Sequence, residues 1–380
     1  MTIEIIQATA RADMKAFIRL PYELYRGEPG WRPPLRMMQE DQFNPKKNHG
    51  LDHLDIAYWL AKSGDKVVGR IASFVNHFHL EVHQDETGHF GFFDTDKAYA
   101  GAGPALLKTA EDWLRAKGMK SIGGPYNFSV NEECGMLIDG FDTPQMMLMP
   151  HGRPDYPETM DKLDYKKATD TFAFLGNTNE GYPRPPIVGK MQAYVEKSDR
   201  LNIRPMHKGK FEEEITLAMS IFNDAWANNF NFVPYSDVQV QHMAKEMKIL
   251  IDPAGFWFGE VDGEAKGFIL MLPNLNEAIR DLDGRLFPFG WAKLLWRLKV
   301  DGLKSARVPL NGISQDIQKK RSGSALMLAL FETCYGAMRP RGIEEVELSW
   351  ILEDNIDVQN MIKLSSASVY KTYRLYQKSL

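Results

Sequence analysis

The chain has 380 residues, enough for about two domains at roughly 100–200 residues each. Apolar residues make up 44% and charged residues 25%, the balance of a globular protein that can bury its core without disulfides or metals. Lys plus Arg is 46 and Asp plus Glu is 50, so the formal net charge of −4 excludes the broadly basic face of a non-specific nucleic-acid binder.

In chain order, Thr2–Ala8 reads as a strand and Arg11–Arg26 as a helix, with Met14, Phe17, Ile18 and Pro21 on one side. The Pro- and Gly-rich loop Gly27–Pro34 follows. Ile56–Ala61 and Val67–Val75 read as paired strands around Ser63-Gly64-Asp65, and His89–Asp94 as a further strand. Gly103–Lys117 has Leu106, Leu107, Ala110, Trp113 and Leu114 at helical spacing and stops at Gly118. Ile122–Asn127 and Thr169–Leu175 read as strands. Asn177–Gly189, with Gly181, Pro183, Pro185 and Pro186, reads as a linker.

The second half repeats this order. Asn202–Met206 is a strand, Phe211–Asn229 and Asp237–Ile251 are helices, and Phe256–Glu260 and Gly267–Leu272 are strands paired around Asp262-Gly263. Arg307–Ser314 is a strand, Ser324–Met338 a helix, Glu345–Leu352 a strand, Val358–Leu364 a short helix and Val369–Tyr376 a closing strand. The recurrence predicts two copies of one α/β unit, mixed sheets in tandem flanked by helices, over 1–185 and 195–380.

Cys134 and Cys334 are too few and too far apart for a disulfide framework, and Met1–Gln7 lacks a signal-peptide pattern. No apolar run approaches the ~20 residues of a membrane-spanning helix. These features predict a cytoplasmic protein, with contact at the membrane surface left open.

The densest chemical signal is Gln318-Lys319-Lys320-Arg321-Ser322-Gly323-Ser324-Ala325, between a strand and an amphipathic helix. The first N–H groups of a helix have no intrahelical partner and its N-terminus is positive, so this turn suits a phosphate. Cations are slightly unfavourable at that end, and three in a row make sense opposite an anion. Gly323 is expected to let backbone approach the phosphate. A nucleotide P-loop is disfavoured because no Gly-Lys-Ser/Thr ending is present.

Lys320-x-x-Gly323-x-Ala325 resembles the (Arg/Gln)-x-x-Gly-x-(Gly/Ala) signature of the GCN5-related N-acyltransferases, and Glu347–Asn355 resembles that fold's fifth strand with the Asn after it. The resemblance covers about 200–380. In the first half Ala100–Ala105 stands where the pyrophosphate loop would be, without Arg, Lys or Gln, so that copy is expected not to bind coenzyme A. Glu28–Pro34, Gly124–Ser129, Gly140-Phe141-Asp142 and Asn231–Tyr235 resemble a narrower group of two-domain bacterial proteins that includes bacterial ceramide synthases.

The resemblance implies an acyl-CoA donor held by Gln318 and Lys320–Ala325, with backbone N–H groups of Asn311, Gly312 and Ile313 polarising the thioester carbonyl. It implies an amine acceptor, most specifically a sphingoid base. Met361 stands where many members carry an acidic Tyr, and Tyr370, Tyr373 and Tyr376 lie on the last strand instead. Glu347 is the first candidate base, with Glu353, Asp354 and Asn355 nearby. Asn127, Asn131 and Glu132, in a polar loop with Glu133, are candidate acceptor contacts or a capped turn. His77, His79, His83 and His89 lack a companion carboxylate or Cys spacing, so no metal is expected.

Leu286–Val300 places Trp291, Leu294, Leu295 and Leu298 at helical spacing beside Lys293, Arg297 and Lys299. Such a segment lies on an anionic membrane, covers an acyl-chain tunnel, or packs on its own domain; Trp291 is a candidate substrate contact. Two other functions stay open: acetyl transfer to a small or peptidyl amine, and a non-catalytic acyl-CoA-binding or regulatory protein.

Overall fold

The computed structural model of the chain describes residues 2–177, 185–247, 251–365 and 367–380. The chain forms two compact units, neither continuous in sequence. The first comprises Met1–Thr171, Ile279–Pro288 and Lys371–Leu380; the second comprises Phe172–Ala278 and Phe289–Tyr370. The expected division into 1–185 and 195–380 followed the linker, whose residues 178–184 lie outside the described residues. Its end is helical: Pro186–Glu196 is a helix that starts on proline, where the missing N–H costs nothing.

The first unit is built on β1 (Glu4–Gln7), β2 (Leu54–Ser63), β3 (Lys66–Asn76), β4 (Thr87–Thr95), β5 (Ser121–Gly124), β6 (Met136–Asp139) and the first part of β7 (Lys166–Asn177). Strands β1 to β4 are antiparallel neighbours, and β4 and β5 are parallel. Gly64 sits at φ +58° in the β2–β3 turn, a conformation that favours glycine. Side chains alternate along β2: Ala57, Trp59 and Ala61 pack with Leu106, Leu107, Ala110 and Leu114 of helix Ala102–Ala116, and Leu60 packs with Phe17 and Ile18 of helix Arg11–Leu24. The sheet is thus covered on both faces.

The second unit has β8 (Leu201–Pro205), β9 (Phe256–Val261), β10 (Glu264–Pro273), β11 (Ser305–Ile313) and β12 (Glu345–Leu352), with the end of β7 beside β12. Strands β8 to β11 are antiparallel neighbours, and β11 and β12 are parallel. Leu326, Ala329, Leu330 and Cys334 of helix Arg321–Met338 pack on Ile269, Met271, Ala306 and Val308. The closing strand β13 (Ser368–Ser379) does not stay with the second copy. From Lys371 onward it belongs to the first unit, where it pairs antiparallel with β5 and β6.

Candidate functional site

Parallel pairing of β11 with β12 runs from Ser305↔Glu345 to Val308↔Leu348 and stops. Beyond it, β11 stays with β10 through Leu270↔Leu310, Ile269↔Asn311, Phe268↔Gly312 and Gly267↔Ile313. The Ser314 N–H bonds the Lys266 carbonyl, and the Asn311 carbonyl, turned away from β10, accepts from Trp226 Nε1 at 3.0 Å. Strand alternation then aims the N–H groups of Asn311 and Ile313 into the gap and that of Gly312 at β10. Of the three residues expected to polarise a carbonyl through backbone N–H, two face the right way. Trp226 is held by stacking on Phe222, and Asn223 ties helix Phe211–Trp226 to Tyr235 through two hydrogen bonds. The Asn231–Tyr235 segment thus braces the indole at the gap.

Next to the gap, helix Arg321–Met338 begins without a side-chain cap. Its first intrahelical bond runs from Ser324 N–H to the Lys320 carbonyl, and the N–H groups of Arg321, Ser322 and Gly323 have no bond among the described residues. Lys319, Lys320 and Arg321 are exposed, and the Arg321 guanidinium lies 4.6 Å over the Tyr194 ring. Three donors and three cations at one helix start supply what an anion site needs. Gly323 has a different reason from the one expected: a Cβ there would lie 2.1 Å from the Ile317 carbonyl oxygen, so it is the preceding turn that requires glycine. Gln318 turns away from the helix start, donating from Nε2 to the Ala225 carbonyl at 3.0 Å. Ser324 is exposed, and Ala325 is buried under the helix.

Glu347 differs from a free base. It is fully buried, 3.1 Å from the Arg307 guanidinium; it accepts from Ser349 Oγ at 2.6 Å and from the Tyr370 hydroxyl. Arg307, 1% exposed, also donates to Ser349 Oγ and lies 5.0 Å over Trp350. Two buried charges persist only when paired and hydrogen-bonded in this way. The network joins β11 and β12 at their last paired residues. Asn355 caps helix Ile356–Lys363, its Oδ1 accepting from the Val358 N–H at 3.3 Å. Glu353 is half-buried one residue past β12.

A pocket lies along the paired part of β12, from Val346 to Leu348, the last residue before the strands part. Met271, Leu328, Phe331, Val346, Leu348 and Met361 give it an apolar lining, and Gly176 and Ala367 form a narrow-residue wall. Of the lining residues, the sequence singles out only Met361, and for another role. Arg307 also escapes sequence reasoning; a cation between the apolar residues Ala306 and Val308 on a strand is its signal.

In the first unit the corresponding gap is closed. Pairing of β4 with β5 spans only Thr87↔Ser121 to His89↔Gly123. Beyond it the Tyr126 N–H bonds the Phe90 carbonyl, and Asn127 Oδ1 accepts the Phe92 N–H at 2.9 Å. Asn127 Nδ2 donates to Glu133 at 3.0 Å, and the Asn131 N–H bonds Ser129 Oγ. The bridge Tyr126↔Cys134 closes the loop, with Phe128 at φ +82° buried in the aromatic cluster of Phe43 and Phe92. Glu132 accepts from Gln42 Nε2 at 3.3 Å; burial, reinforced by Glu133, pushes its carboxyl up to about 7 although that amide bond pulls the other way. Solvent still reaches Glu132, which is half-buried in this loop. The helix start after Ala100–Gly101 has Ala102 N–H bonded to the Tyr99 carbonyl, and Pro104 has no N–H.

Elsewhere, Glu28 holds Arg153 at 2.8 Å and His151 at 3.2 Å, and Gln145 bonds both N–H and carbonyl of Arg32. The Pro/Gly loop and the 140–145 segment are therefore packing partners. His79 rests on His83 and His89 and bonds Asp85 at 3.0 Å; among the described residues no group of three His, Cys, Asp or Glu could hold a metal. Cys134 and Cys334 are buried, and burial pushes the Cys334 thiol up to about 12. Trp291 is 48% exposed, on a helix, Gly290–Trp296, that buries none of its residues. Among the described residues no helix is long and apolar enough to cross a membrane.

No protein-family model matches the chain. It is 40% identical over 370 residues to Protein YghO of Escherichia coli (strain K12), spanning 97% of this chain and 93% of that protein. It is 36% identical over 381 residues to the Bacterial ceramide synthase of Caulobacter vibrioides, spanning 100% and 98%. Among solved structures it is similar in fold to a tandem GNAT protein from the clavulanic acid biosynthesis pathway, with TM-score 0.56 and 12% identity over 100% of this chain and 98% of that one. A GCN5-related N-acetyltransferase from Sphaerobacter thermophilus gives TM-score 0.53 and 12% identity over 99% and 95%. With full-length relatives at 40% and 36% identity, the chain belongs to the family of the Bacterial ceramide synthase, and its fold is that of tandem GCN5-related proteins.

Proposed function

We propose that this protein moves a long-chain acyl group from coenzyme A to the amine of a sphingoid base. The observation that carries the proposal is the second unit's open strand gap, with an uncapped, tricationic helix start beside it and an apolar pocket that reaches Leu348, the last paired residue of β12. The full-length likeness to a protein named bacterial ceramide synthase supports the choice of acceptor.

In this reading the pyrophosphate sits on the N–H groups of Arg321, Ser322 and Gly323, with Lys319, Lys320 and Arg321 around it. The pantetheine arm enters the gap, and the thioester oxygen accepts from Asn311 or Ile313 N–H, which favours the charge that develops as the carbonyl is attacked. The amine nitrogen bonds the carbonyl carbon, the carbon–sulfur bond breaks, and the amine proton passes to a base. Both Glu347 oxygens are already engaged, which leaves Glu353 as the candidate base. Coenzyme A departs as thiolate and takes its proton from water. The acyl chain occupies the pocket under Leu348, where paired methionines adapt to a flexible chain. Of the acceptor contacts read from the sequence, Asn127 is committed to the strand edge of the first unit.

Palmitoyl-CoA and sphinganine incubated with the protein should release free thiol and yield an N-acyl product visible by mass spectrometry. No turnover with any sphingoid base would remove this acceptor. A preference for acetyl-CoA would replace the long donor with a short one, and tight coenzyme A binding without turnover would make the protein a binding module.

A further inference from the structure

We infer that residues 289–300 form a surface that docks on an anionic phospholipid bilayer. The inference stands apart from the reaction, since binding to lipid needs neither donor nor amine.

Phe289 is 79% exposed, Trp291 48%, Leu295 48%, Trp296 57% and Val300 59%. Every exposed Phe and Trp among the described residues of the second unit lies in this stretch. Apolar surface left in water is unfavourable in proportion to its area, and a patch this concentrated marks a contact. The segment is nonetheless built to hold its shape. Arg297 is buried and donates to the Ala278 carbonyl at 2.7 Å, and Trp296 Nε1 bonds Asp301 at 2.9 Å. The stripe of Trp291, Leu295 and Leu298 therefore faces out from a braced turn of helix, with only Leu294 half-buried.

Charge decides what covers it. Between Phe289 and Val300 there is no Asp or Glu, and Lys293 and Lys299 are exposed, in a chain whose net charge is −4. A second copy seated here by two-fold symmetry would press this cationic strip against itself. Exposed aromatics interleaved with lysines match the boundary of an anionic bilayer, where rings enter the acyl margin and ammonium groups meet phosphates.

The test is co-sedimentation of the full chain with phosphatidylglycerol–phosphatidylethanolamine vesicles, against pure phosphatidylcholine. We expect binding to the anionic vesicles, weakened by salt. Phe289→Ser with Leu295→Ser, and separately Lys293→Glu with Lys299→Glu, should each lower partitioning about tenfold or more with melting temperature unchanged. Absence of binding to anionic vesicles, or binding that both double variants retain, overturns the inference. So does a stable dimer that Phe289→Ser with Leu295→Ser dissociates.

Discussion

Both units contain a parallel pair of strands that part after a few residues, and the two gaps end differently. In the first unit the edge of β4 is met by Tyr126 backbone and by the Asn127 amide, so the opening is closed by the protein itself. In the second, β12 leaves and no strand among the described residues follows it, so Asn311 and Ile313 present N–H groups to a gap. The helix starts diverge in the same sense. Arg321, Ser322 and Gly323 offer three N–H donors among three cations, whereas Ala102 is bonded, Pro104 has none, and no cation stands between Ala100 and Ala105. The same fold thus carries an open gap in one unit and a closed one in the other, with one short amide and one proline among the differences.

The largest expected effect tests the floor of the open gap. Glu347→Ala strips the partner from fully buried Arg307 and should cost ~3–5 kcal/mol in denaturant unfolding. Its counterpart Asp94→Ala, which frees Arg70 in the first unit, should cost a similar amount but leave coenzyme A affinity intact. A Glu347→Ala protein within ~1 kcal/mol of wild type would mean that the pair does not hold the strands.

Next comes the helix start. Reversing Lys319, Lys320 and Arg321 to Glu should weaken coenzyme A binding by about 100-fold in calorimetry, with wild-type affinity falling as salt rises. Ala100→Glu should change it by less than about twofold. Equal losses from both would break the asymmetry between the units.

Asn127→Ala should cost ~1–3 kcal/mol by leaving the Phe92 N–H without its acceptor. Coenzyme A stoichiometry sharpens the point: a second equivalent bound by this variant would mean that the amide alone keeps the first unit closed.

The smallest effect is the pH dependence from Glu132, which faces Gln42 and Glu133. Its carboxyl, at about 7 in the fold and near the ordinary ~4.3 when unfolded, favours the native state fully only at low pH. That contribution is lost as pH rises through about 7. Glu132→Gln should flatten this slope and be more stable than wild type at alkaline pH by ~1 kcal/mol, discounted because solvent reaches the group.

Local pattern carried the elements well. Glu345–Leu352 has the expected bounds and both hairpins lie where apolar alternation and turn residues put them, while the helix expected from Ser324 begins three residues earlier, at Arg321. What escaped depends on partners distant in sequence. Nothing near Glu347 reveals that Arg307 and Tyr370 will occupy it. Gly323 has the pattern of a ligand glycine because the Ile317 carbonyl that requires it is set by the fold of the turn. Asn355 was within reach, since Asn before a short helix is a common cap. The membership of β13 was not, because a strand's own pattern does not say which sheet edge it will meet.

That last strand also sets a clock. Residues 371–380 complete the first unit, yet they follow the whole of the second in the order of synthesis. A ribosome therefore makes the first 171 residues and then every residue of the second unit before Gly123 and Gly124 can meet Gln377 and Tyr376. Most multidomain chains finish their N-terminal part as it emerges. Here the earlier part is finished last, and a nascent chain that stalls in the second half leaves the edge of β5 bare.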